Sequence, residues 1–227
     1  KIYPKLDWAP RFLRAKTTFQ SLAMDTVAGY HNSIAILRQD QRDRLFSPAF
    51  KQRLNGYSSL EVFRRHGARV KHLDPMKIAQ YLDMKTYLVG DILTKVDRAS
   101  MAHSLEVRVP FLDHKFVEWA FTAESSANLQ NGVGKFSLKK ALEPHLPDDV
   151  LYRKKMGFAV PLAEWFRGPL QQKLQEKLLS DVMINSGYFN VAELKQLIDD
   201  HKRALKDNSA ALWTLLMFSA FLERNSK

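Results

Sequence analysis

Cysteine is absent from the 227 residues. That excludes a disulfide framework, a thiolate metal site and a cysteine nucleophile, and it suits a reducing compartment. The seven histidines include no HxxxH pair, and His66 and His72, the nearest two, are too far apart to share a helix face, so no metal site is expected from this chain alone. A membrane span is lacking as well. The longest apolar run, Leu212 to Leu222, is broken by Thr214 and Ser219 and falls short of the ~20 residues that crossing a bilayer requires. No signal or transit peptide precedes the first periodic segment, so the opening on Lys1 reads as a cut end and the expected location is the cytoplasm. Internal repeats and a convincing linker are missing too.

What is present is an ordinary apolar fraction, 45%, enough to bury a real core. The formal charge of +11 raises the question of a phosphate backbone as partner. Basic residues are interspersed with Asp and Glu, however, and no zinc finger, RNP-type strand or helix-turn-helix pattern accompanies them. A basic surface facing a small anion or an acidic partner fits better, and neither nucleic acid nor membrane is expected.

Along the chain, KIYPKLDWAPRFLRAK (residues 1–16) reads as an ordered surface arm. From Thr17 to about Arg53, apolar residues at three- and four-residue intervals predict one or two amphipathic helices with a break near Ser47-Pro48. Further helices are predicted at Ser59–His66, from the Asp74-Pro75 cap towards Tyr87, and over His114–Thr122, the last burying Phe116, Val117, Ala120 and Phe121. Beyond Leu162 come Glu164-Trp165-Phe166 before Gly168-Pro169, Gln171–Leu179, Val191–His201 and Ala210–Arg224. In the last of these Trp213, Leu216, Met217, Ala220 and Phe221 are expected in the core.

Three stretches carry chemistry. In DILTKVDRASMAHSLEVRVPFLD (residues 91–113), Gly90 separates the segment from what precedes it and Asp91 is a candidate N-cap for a short amphipathic helix. Leu105, Val107 and Val109 then alternate with Glu106 and Arg108, which predicts a short strand ended by Pro110. Asp97, Arg98, Glu106, Arg108 and Asp113 are thereby gathered against an apolar body, either as a buried ion network or as a site. In GVGK (residues 132–135), Lys135 heads a helix after a glycine turn, where free N–H groups and the helix dipole favour an anion, although the pattern is not the GxxxxGK[ST] phosphate loop. In YRKKMGFAVP (residues 152–161), three cations run into residues that restrict the backbone, as a phosphate-contacting lysine requires.

These stretches, DILTKVDRASMAHSLEVRVPFLD, GKFSLKKALEPHLP and RKKMGFAVPLAEWF, resemble the C-terminal synthetase part of glutamine-hydrolysing asparagine synthetases from about Asp74 to the C-terminus. The arm YPKLDWAPRFLRAK is most similar to the exosortase- and exopolysaccharide-associated amidotransferase variants of that family. The resemblance implies ATP-dependent formation of a β-aspartyl adenylate, release of pyrophosphate, and attack by ammonia from an upstream glutaminase domain. It implies that Lys155 stabilises phosphate in the adenylation transition state, that Lys135 faces phosphate, and that Glu106 lines the amino-acid pocket with Lys95, Asp97 and Arg98 nearby. Arg108 and Asp113 keep a structural reading. The family's SGGxDS pyrophosphate loop, its acidic SGxGxDE segment and the glutaminase cysteine are not in this sequence, so ligands for Mg2+ are expected upstream and the fragment alone is expected not to turn over.

The expected fold is therefore mainly α, the helical C-terminal portion of a Rossmann-like synthetase domain (of the adenine nucleotide alpha hydrolase-like kind) whose parallel sheet lies mostly upstream. Residues 1–227 form one domain on this reading, with an arm and helices over 1–56 and a helical core over 57–227. Substrates would be ATP, aspartate and ammonia derived from glutamine, with a homodimer left open. Two alternatives stand beside this reading: the same scaffold acting on another carboxylate in exopolysaccharide biosynthesis, and a non-catalytic basic helical module.

Overall fold

The structure is a computed structural model that describes residues 23–154 and 160–225. The arm at residues 1–16, the start of the first predicted helix and Lys155 lie outside the described residues. The described part is mainly helical and forms two compact units, one from residues 23–61 with 160–225 and one from residues 62–154.

The first unit begins with α1 (Thr26–Ile34), α2 (Gln39–Leu45), α3 (Pro48–Leu54) and the start of α4 (Leu60–Gly67). The break at Ser47-Pro48 is real: Ser47 Oγ accepts the Phe50 N–H at 3.0 Å, and Pro48 opens α3 where its missing donor costs nothing. The later chain adds α11 (Leu162–Arg167), α12 (Gln171–Leu178), α13 (Asp181–Asn185), α14 (Val191–Lys202) and α15 (Ser209–Asn225). Segments far apart in sequence are stitched where Phe46 bridges Phe189. There Ser47 N–H donates to Tyr188 O at 2.9 Å and Asn190 N–H to Leu45 O at 2.7 Å. Around this bridge Phe46, Phe50, Tyr188, Phe189 and Phe218 pack ring to edge.

The core of this unit joins Leu45, Phe166, Leu174, Leu178, Met183, Leu194, Ile198, Leu212 and Leu215. Its α15 face differs from the predicted one. Leu212, Leu215 and Ser219 point inward, while Trp213, Met217 and Phe221 are 42%, 44% and 58% exposed. The helix is apolar almost all round, so spacing alone leaves its phase open. Ser219 is buried because its hydroxyl donates to Lys177 O at 3.3 Å.

The second unit holds the remainder of α4, then α5 (Pro75–Lys85), α6 (Thr94–Met101), α7 (His114–Thr122), α8 (Ser125–Asn128), a two-stranded antiparallel sheet of β1 (Leu129–Gln130) and β2 (Val133–Gly134), α9 (Phe136–Leu142) and α10 (Asp148–Leu151). Asp74 caps α5 by accepting from Met76 N and Lys77 N, and it also accepts the Ser125 hydroxyl at 2.8 Å. That hydroxyl bond, ahead of the backbone bonds, holds its carboxyl below the usual carboxylate range.

Two expectations change in this unit. The chain stays helical through Gly90 and Asp91, which lie in a π-helical turn over Leu88–Leu93, so Gly90 is no break and Asp91 no cap. In α7, Phe116 is 38% exposed and Val117, Ala120 and Phe121 are only partly covered, so the expected burial of this face is incomplete among the described residues. The tight turn between β1 and β2, with Asn131 and Gly132 at φ 51° and 77°, is a two-residue hairpin of the Asn-Gly type. No helix among the described residues is long and apolar enough to cross a membrane.

Candidate functional site

The site is built from α6 and the chain that leaves it. A π-helical turn carries one extra residue, shifting the faces of the residues that follow, and it runs here directly into α6. Thr94 Oγ1 donates to Val89 O at 2.8 Å, which satisfies a carbonyl inside the widened turn. On α6, Val96, Asp97, Ser100 and Met101 fall on one side at three- and four-residue spacing.

The helix ends at Met101, and after a short turn Ser104 lies in the left-handed region at φ 56°, while Leu105 N–H returns to Ser100 O at 3.0 Å. The irregular segment Leu105–Val109 then turns back beside α6 and enters a 3-10 helix at Pro110–Leu112. This reversal puts Asp97 and Ser100 from α6 and Glu106, Val107 and Val109 from the returning segment around one cavity of about 330 Å³. Its walls are aliphatic and its polar groups are two carboxylates and a hydroxyl, a combination that suits an amino or ammonium nitrogen held against an apolar wall.

Two predicted features of this stretch are corrected. Leu105–Val109 takes no regular structure and forms no strand, since none of the described residues pairs with it and a strand needs a ladder. Its aliphatic residues are open, with Leu105, Val107 and Val109 at 60%, 46% and 42% exposure. Nor are the charges a buried network. Arg108 Nε and Nη2 both reach Glu106 Oε1 at 3.0 Å, but the two side chains are 84% and 69% exposed, and among the described residues Arg98 pairs only with its neighbour Asp97 at 3.9 Å. Exposed pairs of this kind add little stability. The geometry does give Glu106 a defined shape: one oxygen is engaged by Arg108, and Oε2 takes no hydrogen bond among the described residues. Asp113 is the N-cap of α7, accepting Lys115 N at 3.0 Å and Phe116 N at 3.2 Å.

Lys95 and Arg98 sit on α6 but do not line the cavity, and neither does Lys135. Lys135 is the N-cap of α9 and occupies the left-handed region at φ 57°, ψ 37°, an arrangement that costs a non-glycine residue about 1–2 kcal/mol and that the preceding hairpin imposes. Sequence reading missed a cluster at the other end of α9. Tyr152 donates to Glu143 Oε1 at 2.6 Å, Lys140 pairs with the same oxygen at 2.9 Å, and Lys139 lies 5.2 Å from the centre of the Tyr152 ring. The tyrosine hydroxyl first, and Lys140 second, hold Glu143 below its ordinary value, and the Tyr152 phenol is raised by the same bond. This cluster fastens the chain immediately before Arg153 and Lys154, two cations of the RKKMGF motif. Its signal in the sequence was the Lys140–Glu143 spacing within a helix.

The family model for asparagine synthase matches residues 3–223. The chain belongs to the asparagine synthase family. Among curated members, the putative glutamine-hydrolysing asparagine synthetase of Mycobacterium tuberculosis strain H37Rv is 38% identical over 147 residues, covering 64% of this chain and 22% of that protein. Glutamine-hydrolysing asparagine synthetase 1 of Bacillus subtilis is 38% identical over 142 residues, 61% of this chain and 22% of that protein. Amidase chry2 of Gibberella zeae is 28% identical over 137 residues, 57% of this chain and 20% of that protein. The match thus spans about a fifth of the length of these relatives. No solved structure matches the chain.

Proposed function

We propose that this member of the asparagine synthase family supplies the acceptor pocket of an ATP-dependent carbon–nitrogen ligase that adenylates the side chain of aspartate and passes ammonia to it. The observation that carries the reading is the reversal at Ser104, which sets Glu106 and Asp97 on one cavity within the stretch that the family model matches.

The chemistry has two steps. A carboxylate oxygen of the acceptor bonds to the α-phosphorus of ATP while pyrophosphate leaves with the bonding pair. Ammonia then bonds to the acyl carbon, AMP leaves, and the nitrogen sheds a proton. Both steps involve a nitrogen that a carboxylate can hold, first the ammonium of the amino-acid acceptor and then the incoming ammonia. Glu106, with Oε2 open and Oε1 fixed by Arg108, is suited to accept from such a nitrogen, and Asp97 and Ser100 complete the polar side. Lys135 and, by its place in the RKKMGF motif, Lys155 supply positive charge for the phosphates on this reading, and the Tyr152–Glu143 bond orders the approach to that motif. Lys95 and Arg98 add positive charge near the pocket without lining it.

Among the described residues no three His, Asp or Glu side chains converge as a metal site, and the ligands for Mg2+ belong, on this reading, to other parts of the protein. The Rossmann-like sheet for the nucleotide and the glutaminase domain that releases ammonia belong, on this reading, to parts of the protein outside these residues. A second reading keeps the adenylation and gives it another carboxylate as acceptor; the relatives do not all carry the asparagine synthetase name, one being named an amidase.

The test is pyrophosphate release from ATP by the full-length protein with a panel of carboxylates at fixed ionic strength. Release with aspartate, and asparagine formation when glutamine is added, is the expected result. Release with a different carboxylate would keep the mechanism and replace the acceptor, and release with none would remove the ligase reading.

A further inference from the structure

A second cavity, of about 420 Å³, lies in the first unit and takes no part in the proposed ligase chemistry. Helices α2 and α3 form its base. Asn55 and Gly56, at φ 46° and 78°, turn the chain back after α3, with Tyr57 N–H donating to Leu54 O at 2.8 Å, so that Tyr57–Ser59 close the cavity's side. Only a residue without a Cβ takes the second of these left-handed positions easily, which is the use of Gly56. One wall is aromatic: Phe46 and Phe50 meet edge to face at 5.0 Å, and Tyr57 stands 59% exposed beside them.

At the polar end sits Arg42, half-buried. Its Nη1 donates to Ser59 Oγ at 3.0 Å and its Nη2 to Gln39 Oε1 at 2.8 Å, both neutral acceptors. Among the described residues it pairs with no carboxylate. Asp43 also lines the cavity, but its Oδ1 accepts from Gln39 Nε2 at 2.8 Å instead of from Arg42. The uncancelled charge is felt nearby. His31, whose Nε2 is 2.9 Å from Ser59 Oγ, is held below its ordinary value by burial and then by Arg42. Lys51 adds a second, exposed cation at the rim.

A half-buried guanidinium whose partners are all neutral has an unmet preference for a planar anion, which its fork grips better than an ammonium would. The aromatic wall adds a preference for an apolar ring, and the cavity volume lies in the usual range for small-molecule sites. Asp43 at the edge disfavours an extended polyanion. We propose that this cavity binds a small aryl-bearing anion, a carboxylate or a phosphate ester, with its anionic head on Arg42 and its ring against Phe46, Phe50 and Tyr57. The site stands independently of the ligase reading, since none of its residues belongs to the Glu106 pocket.

The test is titration of the whole chain, followed by calorimetry and by the amide signals of Tyr57–Ser59, with four probes at fixed ionic strength: phenylacetate, phenyl phosphate, benzyl alcohol and inorganic phosphate. At least one aryl anion is expected to bind about tenfold or more tightly than both benzyl alcohol and inorganic phosphate, as a charge-assisted contact added to ring burial requires. Preference between phenylacetate and phenyl phosphate then names the head group, and either preference supports the site. Arg42→Gln, which keeps a donor for Ser59 but removes the charge, is expected to lose that advantage. Benzyl alcohol binding as well as the anions would reduce the cavity to an apolar groove, and inorganic phosphate binding as well would reduce it to a surface charge. Absence of aryl-anion binding, or undiminished binding by a folded Arg42→Gln, would also overturn the proposal. Should Arg42→Gln fail to fold, the four-probe ranking on the unaltered chain decides alone.

Discussion

His201 makes the stability of the first unit depend on pH in a direction that its surroundings fix. Its ring is 1% exposed, with Nε2 donating to Ala163 O at 3.2 Å and Nδ1 accepting Asn208 N–H at 3.2 Å. Both nitrogens are therefore committed in the neutral form, and a proton on Nδ1 would break the Asn208 bond. Burial first, and the Arg167 guanidinium second, hold the imidazole below its ordinary value. Asp207, whose Oδ1 is 3.8 Å from Nδ1 and whose side chain is 55% exposed, opposes this without reversing it.

The sign follows from proton counts. Between the folded value and the unfolded one near 6.5, the unfolded chain holds more protons than the folded chain, so stability is full above that value and falls as pH falls below it. The slope from this one group cannot exceed about 1.4 kcal/mol per pH unit. Replacing it by His201→Leu strands the Ala163 carbonyl and the Asn208 N–H, each worth about 1–3 kcal/mol when buried and unpaired, so the variant is expected to be less stable by about 2 kcal/mol or more at pH 7. Urea unfolding at several pH values between 7 and 5 measures both effects. The wild type should lose stability faster than the variant over that range, narrowing the gap between them. If the two curves fall in parallel, the neutral, buried assignment of His201 is wrong.

Other perturbations test different parts of the structure. Leu212→Ala empties a fully buried position at the centre of the core and is expected to cost about 2–5 kcal/mol in chemical denaturation. Ser47→Ala removes the cap of α3 and its bond to Gly187 O, with an expected loss of about 1 kcal/mol by the same measurement. Lys135→Gly relieves a left-handed lysine, so stability should stay level or rise by up to about 1 kcal/mol. Pyrophosphate release by the full-length protein should fall in that variant if the lysine serves phosphate.

Which features were legible in the sequence depended on whether their cause is local. Asp74-Pro75 and Ser47-Pro48 each place an oxygen acceptor and a donor-free residue at a helix start, and both helices begin there. The period-two pattern at Leu105–Val109 correctly placed Glu106 and Arg108 on one side, where they pair, but a period says nothing about whether a partner strand exists. In α15 the inward face was set by what Leu212 and Leu215 meet on other helices, and no pattern within an evenly apolar helix carries that information. At the candidate site, the spacing of Asp97 and Ser100 was readable, whereas the left-handed turn at Ser104 that brings Glu106 back to them was not. The cavity at Arg42 was invisible for the same reason, since it arises where the loop around Gly56 folds back beside two helices.

The most direct test of the central claim is Glu106→Gln in the full-length protein, assayed by aspartate-dependent pyrophosphate release. Gln keeps the shape and removes the charge that would hold the acceptor's nitrogen. The account predicts that kcat/KM for aspartate falls by about 100-fold or more, as loss of a charged contact does, while the KM for ATP stays close to that of the wild type. Unchanged kcat/KM for aspartate in a folded variant would contradict it and would remove Glu106 from the site.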